Sequence, residues 1–377
     1  MFARRVLAPA FFRQRRPEST VASFNKDELL MLLQPPLTKW SNIIREAEKV
    51  VDYPTSFMNL RRLLSDEFAN LALYLRKLVG SNQLVMQTAK NVLYGDTKNL
   101  QPWGLVILLL SKSVRTYDAN PKTVYEQQRQ LAELTEMMRS GHLIHKDYLL
   151  VTSNAMLAGL KNPDALYIVS SALRDVSEGE FFGERDEQNI PLPGKPKLTN
   201  DDFDLTFDTR SFNIENILGK SRKEWTARSI YNGVSLLGRG CQAAMVLAKQ
   251  SREIENYAYN FGCHVGLAWQ GAIELQALTS DSKEQFSLTS APVLFALESN
   301  PDLYKIIEQA KNDVNHVDYE DLKFNILKTD SVEKTKMLCE SHAKKATQYV
   351  DSIGQNESID IKTLKFSFHK QENSSFC

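Results

Sequence analysis

Apolar positions recur at helical spacing along nearly the whole of this 377-residue chain. In "SFMNLRRLLSDEFANLALYLRKLVG", Phe57, Leu60, Leu64, Phe68, Leu71 and Leu75 fall on one stripe, and Gly80 closes the segment. The stretches "TVYEQQRQLAELTEMMRSGHLIH", "NPDALYIVSSALRDVSEGE", "WTARSIYNGVSLLGRGCQAAMVLAKQ" and "YNFGCHVGLAWQGAIELQAL" repeat the pattern. Two-residue alternation bounded by turn signals is confined to "SIDIKTLKFSFHK" near the end. The pattern predicts an all-α protein, and no fixed period points to a solenoid. One stretch breaks the rhythm. Residues 181–212, "FFGERDEQNIPLPGKPKLTNDDFDLTFDTRSF", hold three prolines and many acids and read as a long surface loop between two helices. Helical spacing of the same quality resumes afterwards, so the expectation is a single domain over residues 23–354. Residues 355–377 read as a loosely held C-terminal tail.

Composition narrows the function. At 42% hydrophobic and 24% charged the chain can bury a full-sized core. Its 46 basic and 46 acidic residues cancel, which argues against nucleic acid as a partner. The four cysteines, Cys241, Cys263, Cys339 and Cys377, make no CxxC or CxxH pattern, so neither a disulfide framework nor a zinc site is expected. His142 and His145 share a helix face but lack a third ligand, and read as solvated or capped rather than metal-binding. Met137, Met138 and the apolar run Leu105–Leu110 are core residues first. "WGLVILLL" (Trp103–Leu110) is too short to span a bilayer, and no transmembrane segment is expected. The first 22 residues differ from the rest. Arg4, Arg5, Arg13, Arg15 and Arg16 interleave with Phe2, Val6, Leu7, Phe11 and Phe12, with no acid before Glu18. That is the composition of a mitochondrial transit peptide, and it places the protein in the mitochondrial matrix. The common hydrolase, nucleotide-binding and zinc-protease signatures are absent.

Three landmarks carry a resemblance when taken together: "MRSGHLIHKDYLL" (Met138–Leu150), "FGCHVGLAWQGAIEL" (Phe261–Leu275) and "SAPVLFALES" (Ser290–Ser299). In order and spacing they resemble the trans-isoprenyl diphosphate synthases. That resemblance implies a bundle of antiparallel helices around a deep cavity, with two facing helices each carrying a DDxxD motif. In the family those carboxylates hold magnesium ions that bridge an allylic diphosphate, and isopentenyl diphosphate attacks the carbocation that forms. Here the carry-over fails at the chemistry. Trp269 and Gln270 match the FQ pair before the second motif, but Ile273, Glu274 and Ala277 stand where three aspartates belong. Lys146 and Leu150 occupy first-motif positions, and "KDYLL" aligns better with a later family helix that starts GDYLL, so the first-motif loop is missing. The family's GGKRxRP corresponds to "DTKNLQP", which keeps Lys98 and Pro102 but has Asn99 and Gln101 for arginines. Its lysine–threonine pair corresponds to Asn232 and Gly233.

The degenerate pattern, with "YPTSFMNLRRLLSDEFANLALYLRKLVG", "CQAAMVLAK" and "SAPV", resembles the Asp-motif-lacking second-subunit branch of two-component mitochondrial decaprenyl and solanesyl diphosphate synthases, over roughly residues 50–350. It implies a non-catalytic or regulatory subunit paired with a catalytic polyprenyl diphosphate synthase subunit, in a heterodimer or heterotetramer that makes the ubiquinone side chain. Mg²⁺ is then expected in the partner, with no catalytic and no metal-binding residue here. Lys98, Gln270 and Glu274 are vestigial substrate-site positions. Two other readings stay open: a self-sufficient enzyme using Glu274 and Asp147, and a lipid-binding or scaffold protein using the emptied cavity outside prenyl synthesis.

Overall fold

Helices α1 (Trp103–Ser113) and α2 (Pro121–Leu143) show how the apolar pattern becomes packing. The first is apolar on every side and accordingly buried from Trp103 to Ser111. The second is amphipathic, and it buries Leu131, Leu134, Met137 and Met138 while charged residues line its outer face. This is a computed structural model, and it describes residues 46–52, 103–118, 120–143, 156–197, 206–279, 286–309 and 311–356. All of them fall in one compact unit, residues 42–377. The expected leader (1–22), the Phe57–Leu75 stripe, Lys98, His145, Lys146, Asp147, Leu150 and the Ser358–Lys370 alternation lie outside the described residues, as does the side chain of His142.

Among the described residues the fold is helical, with a single isolated bridge between Arg185 and Pro191. Helix α3 (Pro163–Gly179) starts where its sequence says it should: Asn162 caps it by accepting from the Ala165 amide at 2.9 Å, and Pro163 sits in the first turn. Then come α4 (Ser221–Ser229), α5 (Ser235–Leu247), α6 (Arg252–Thr279), α7 (Ala291–Ser299), α8 (Tyr304–Gln309), α9 (Tyr319–Leu327) and α10 (Ser331–Asn356). The last helix runs two residues past the expected domain end at 354.

Helix α6 is the axis of the described bundle, packing along α10 on one side and α5 on another. Its crossing with α5 depends on small residues. A Cβ on Gly262 would stand 2.8 Å from the Gly238 Cα and 2.9 Å from the Leu237 carbonyl oxygen, so the two backbones touch. Buried Cys241 and Cys263 flank that contact. On the α10 side, His264 and His342 are buried with their Nδ1 atoms 2.8 Å apart, one donating and the other accepting, and Tyr349 stacks on His264.

Between α4 and α5 the chain makes a π-helical turn, Ile230–Val234. Gly233 has φ +118, a conformation closed to most side chains, so the glycine is required by the turn. The kink lets α4 and α5 pack in different directions and sets Asn232 into the wall of a cavity.

The described part of 181–212 is irregular chain between two helices, with most residues exposed or half-buried, and it is pinned to the fold at a few points. Phe182, Asp186, Leu192, Phe207 and Thr209 are buried, although Phe181 is exposed. The reason lies in two carboxylates. Asp186 accepts from the Gln188, Ile190 and Val314 amides, and Glu224 of α4 accepts from the Gly194 amide at 2.9 Å and the Gly219 amide at 2.7 Å. Asp186 of that stretch and Glu224 of α4 thus bind backbone N–H groups that would otherwise be orphaned. Among the described residues no helix is long and apolar enough to cross a membrane.

Candidate functional site

A cavity of about 330 Å³ opens between α3, the π turn, the C-terminal half of α6 and the start of α7. Gln270, Ile273, Glu274 and Ala277 line it, and so does Asn232. The fold therefore gathers around one space the second-motif and lysine–threonine positions singled out in the sequence.

Glu274 is the one carboxylate left in the second motif, and its bonds define its role. Oε2 accepts from Trp225 Nε1 at 2.7 Å and from the Ala291 amide at 2.8 Å, and Oε1 accepts from Gln270 Nε2 at 2.8 Å. It thus joins α6 to α4 and to the first turn of α7, whose N-cap residue Ser290 makes no side-chain cap bond. Burial pushes its carboxyl up from the ordinary 4.5 to about 7, against the three donors that favour the charged form. Gln270, the second residue of the matched pair, can serve either protonation state: rotating its amide offers an oxygen to a protonated carboxyl.

Magnesium needs several hard oxygens in near-octahedral array. Here Ile273 and Ala277 supply none, and both oxygens of Glu274 are held by protein donors. Among the described residues no group of three or more His, Cys, Asp or Glu is placed to hold a metal ion. This half of the family's metal site does not fit the ion.

The other polar wall was not foreseen. Arg228 of α4 donates to Glu224 Oε1 at 2.9 Å, to the Leu192 carbonyl at 2.7 Å and to the Phe182 carbonyl at 3.2 Å, and its guanidinium lies over the Phe182 ring. Burial lowers its pKa, Glu224 raises it, and Arg185 lowers it again, so the two guanidiniums are near neighbours. Arg185 donates to the Asn189 and Gly179 carbonyls and pairs with Glu180 at 3.4 Å. The sequence did carry a signal for the first of these, since Glu224 and Arg228 stand four apart on one helix face. Nothing in it marked Arg185, and Ser290 stood out only as the first residue of the "SAPV" landmark.

The other sequence candidates divide as follows. Asn232 and Gly233 are in the kink, one lining the cavity and the other making the turn. Met137, Met138 and Leu105–Leu110 are core, as expected.

No family model matches the chain. Human all-trans-polyprenyl-diphosphate synthase PDSS2 is 30% identical over 362 residues, which take in 85% of this chain and 84% of that protein. The decaprenyl-diphosphate synthase of Dictyostelium discoideum is 24% identical and covers 89% of this chain and 73% of its own. Among solved structures, heptaprenyl diphosphate synthase from Staphylococcus aureus aligns with a TM-score of 0.54 at 18% identity, over 83% of this chain and 99% of that one. A medium/long-chain prenyl pyrophosphate synthase from Arabidopsis aligns at 0.51 and 21% identity, over 81% and 94%. At those identities the solved structures speak to the fold alone.

Proposed function

This chain belongs to the family of all-trans polyprenyl diphosphate synthases, and from that premise we propose that it is a non-catalytic, regulatory subunit of a heteromeric synthase. The observation that carries the reading is the state of the second motif. Its single acid is tied to Trp225, Gln270 and Ala291, and its other two positions are apolar. Asn232 and Gly233 at the lysine–threonine positions bring no cation to the same cavity. A chain built this way contributes binding surface and shape while the chemistry resides in a partner.

In the proposed complex a catalytic polyprenyl diphosphate synthase subunit holds Mg²⁺ and adds isopentenyl diphosphate to an allylic diphosphate. The metal supplies the electrostatic pull that releases the diphosphate leaving group. The product is the ubiquinone side chain, and the complex is a heterodimer or heterotetramer of the mitochondrial matrix. Support for the compartment comes from the Arg-rich first 22 residues and from relatives whose names place them in mitochondria, such as solanesyl-diphosphate synthase 1 of Oryza sativa. An inactive subunit is obligate when its helix faces complete a large shared interface.

The test is expression of this chain alone and together with the same organism's Asp-motif-bearing paralogue, with incorporation of labelled isopentenyl diphosphate measured in Mg²⁺. Activity confined to the co-eluting pair is the expected result. Turnover by this chain alone, or a paralogue that is fully active without it, overturns the proposal.

A further inference from the structure

Three donors from three helices converge on one carboxylate at the cavity wall. Trp225 Nε1 of α4 and the Ala291 amide of α7 donate to Glu274 Oε2 at 2.7 and 2.8 Å, and Gln270 Nε2 of α6 donates to Oε1 at 2.8 Å. Trp225 and Ala291 are buried, so packing fixes where their N–H groups point. Ala291 is the first residue of the nine-residue helix α7, whose N-cap Ser290 makes no side-chain cap bond. The Glu274 carboxylate takes the place of that cap, meeting the positive end of α7 and an indole N–H together.

Such a set of donors is a receptor as well as a brace. An indole N–H, a first-turn amide and a carboxamide, each from a different helix, match the two oxygens of one carboxylate, and Glu274 is seen seated on them. Glu274 also lines the cavity of about 330 Å³, so the volume its side chain fills adjoins that space.

We propose that Trp225, Gln270 and the first turn of α7 form a carboxylate-binding site that the chain keeps closed with its own Glu274. The wild-type protein is self-liganded there. Cutting the side chain back to Cβ removes Cγ, Cδ, Oε1 and Oε2, and these are the heavy atoms of acetate. Glu274→Ala therefore opens a receptor of matching size and polarity for small carboxylates. The inference concerns the isolated chain and does not depend on assembly with a catalytic partner.

The test is thermal unfolding of the purified full-length wild type and Glu274→Ala at pH 8, followed by far-UV circular dichroism. Each is measured in sodium acetate and in sodium chloride of equal ionic strength. Acetate at about 200 mM is expected to raise the melting temperature of Glu274→Ala by about 3–6 °C over chloride, with half-saturation on the order of 10 mM. The wild type is expected to stay at its chloride value. Acetamide has the same number of heavy atoms and no charge, and is expected to bind at least about tenfold more weakly. Trp225→Phe in the Glu274→Ala background removes the donor at 2.7 Å and is expected to weaken acetate roughly tenfold or more. If Glu274→Ala does not fold in chloride, refolding becomes the readout: recovery of the helical signal in acetate supports the proposal, and failure to recover overturns it. Equal stabilisation of wild type and variant also overturns it. So does a folded variant that ignores acetate, or acetamide binding as tightly as acetate.

Discussion

Replacing Glu274 by glutamine removes a titrating proton from the middle of the bundle while keeping volume and one carbonyl acceptor. In the folded chain burial raises the Glu274 carboxyl from 4.5 to about 7. A raised folded-state pKa means that the folded chain holds the proton more tightly than the unfolded one. The stability this contributes is complete below about pH 4.5 and is lost as pH rises through about 7. A shift of that size, at about 1.4 kcal/mol per unit, corresponds to about 3 kcal/mol at full burial. The residue is partly accessible through the cavity it lines, so about 2 kcal/mol is the working figure. Glutamine does not titrate, and the wild-type chain should lose about that much stability relative to Glu274→Gln between pH 5 and pH 8. The assay is equilibrium urea unfolding of both proteins at half-unit pH intervals, with tryptophan fluorescence and far-UV circular dichroism compared for coincidence. A difference that stays flat across the range would show that the three donors offset desolvation. A difference of opposite slope, with the wild type gaining as pH rises, would show that the carboxylate is the favoured buried form. Either result refutes the reasoning.

Three further outcomes follow from the packing. Glu224→Ala leaves the Arg228 guanidinium without its counter-ion and the Gly194 and Gly219 amides without their acceptor, and should cost about 4 kcal/mol, with faster hydrogen exchange over residues 182–194; unchanged exchange there argues against the clamp. Gly194→Ala would set a Cβ 2.5 Å from the Gly219 nitrogen and 3.0 Å from the Leu218 carbonyl carbon, both backbone, so a melting temperature at the wild-type value would contradict the described approach. Burial pushes the Cys263 thiol up to about 12 and Cys241 higher still, so at pH 8 iodoacetamide should label partly exposed Cys339 well before either of them, by peptide mass spectrometry.

Helical spacing was legible because burial follows it: the stripes through Leu131, Leu134 and Met138 or Val169 and Ala172 are the buried positions. The second-motif positions were legible too, since Gln270, Ile273, Glu274 and Ala277 do line one cavity. What spacing could not convey was the destination of isolated acids. Glu274, Glu224 and Asp186 look alike in sequence, and each is defined by amides or side chains far away in the chain, at Ala291 and Trp225, at Gly194, and at Val314. The anchoring of the 181–212 loop was illegible for that reason, because its prolines and acids gave no sign of Arg228 and Glu224 reaching across from α4. The kink at Gly233 likewise has a local signature too weak to read, one of three glycines, with Gly238 and Gly240, inside a helical run.

The same bonds bear on whether the lost motif can be restored by substitution. Ile273→Asp with Ala277→Asp would recreate acids at i, i+1 and i+4 on α6. A magnesium ion would still have to compete for Glu274 with Trp225, Gln270 and the amide that begins α7. Freeing Glu274 would leave the Trp225 and Ala291 donors buried and unpaired, at about 1–3 kcal/mol each. The new aspartates also repel one another and Glu274, with no other acid of the described residues placed to complete a ligand set. A ligand that binds the folded state stabilises it by RT ln(1 + [L]/Kd), so a site with a Kd of about 0.1 mM would add about 2.7 kcal/mol at about 10 mM ion. The double variant should show no such gain in 10 mM MgCl₂ beyond that in sodium chloride of equal ionic strength, followed by thermal unfolding. A magnesium-specific rise of several degrees would mean that Glu274 leaves its three donors readily, and that the acid is a dormant ligand rather than a brace between α4, α6 and α7.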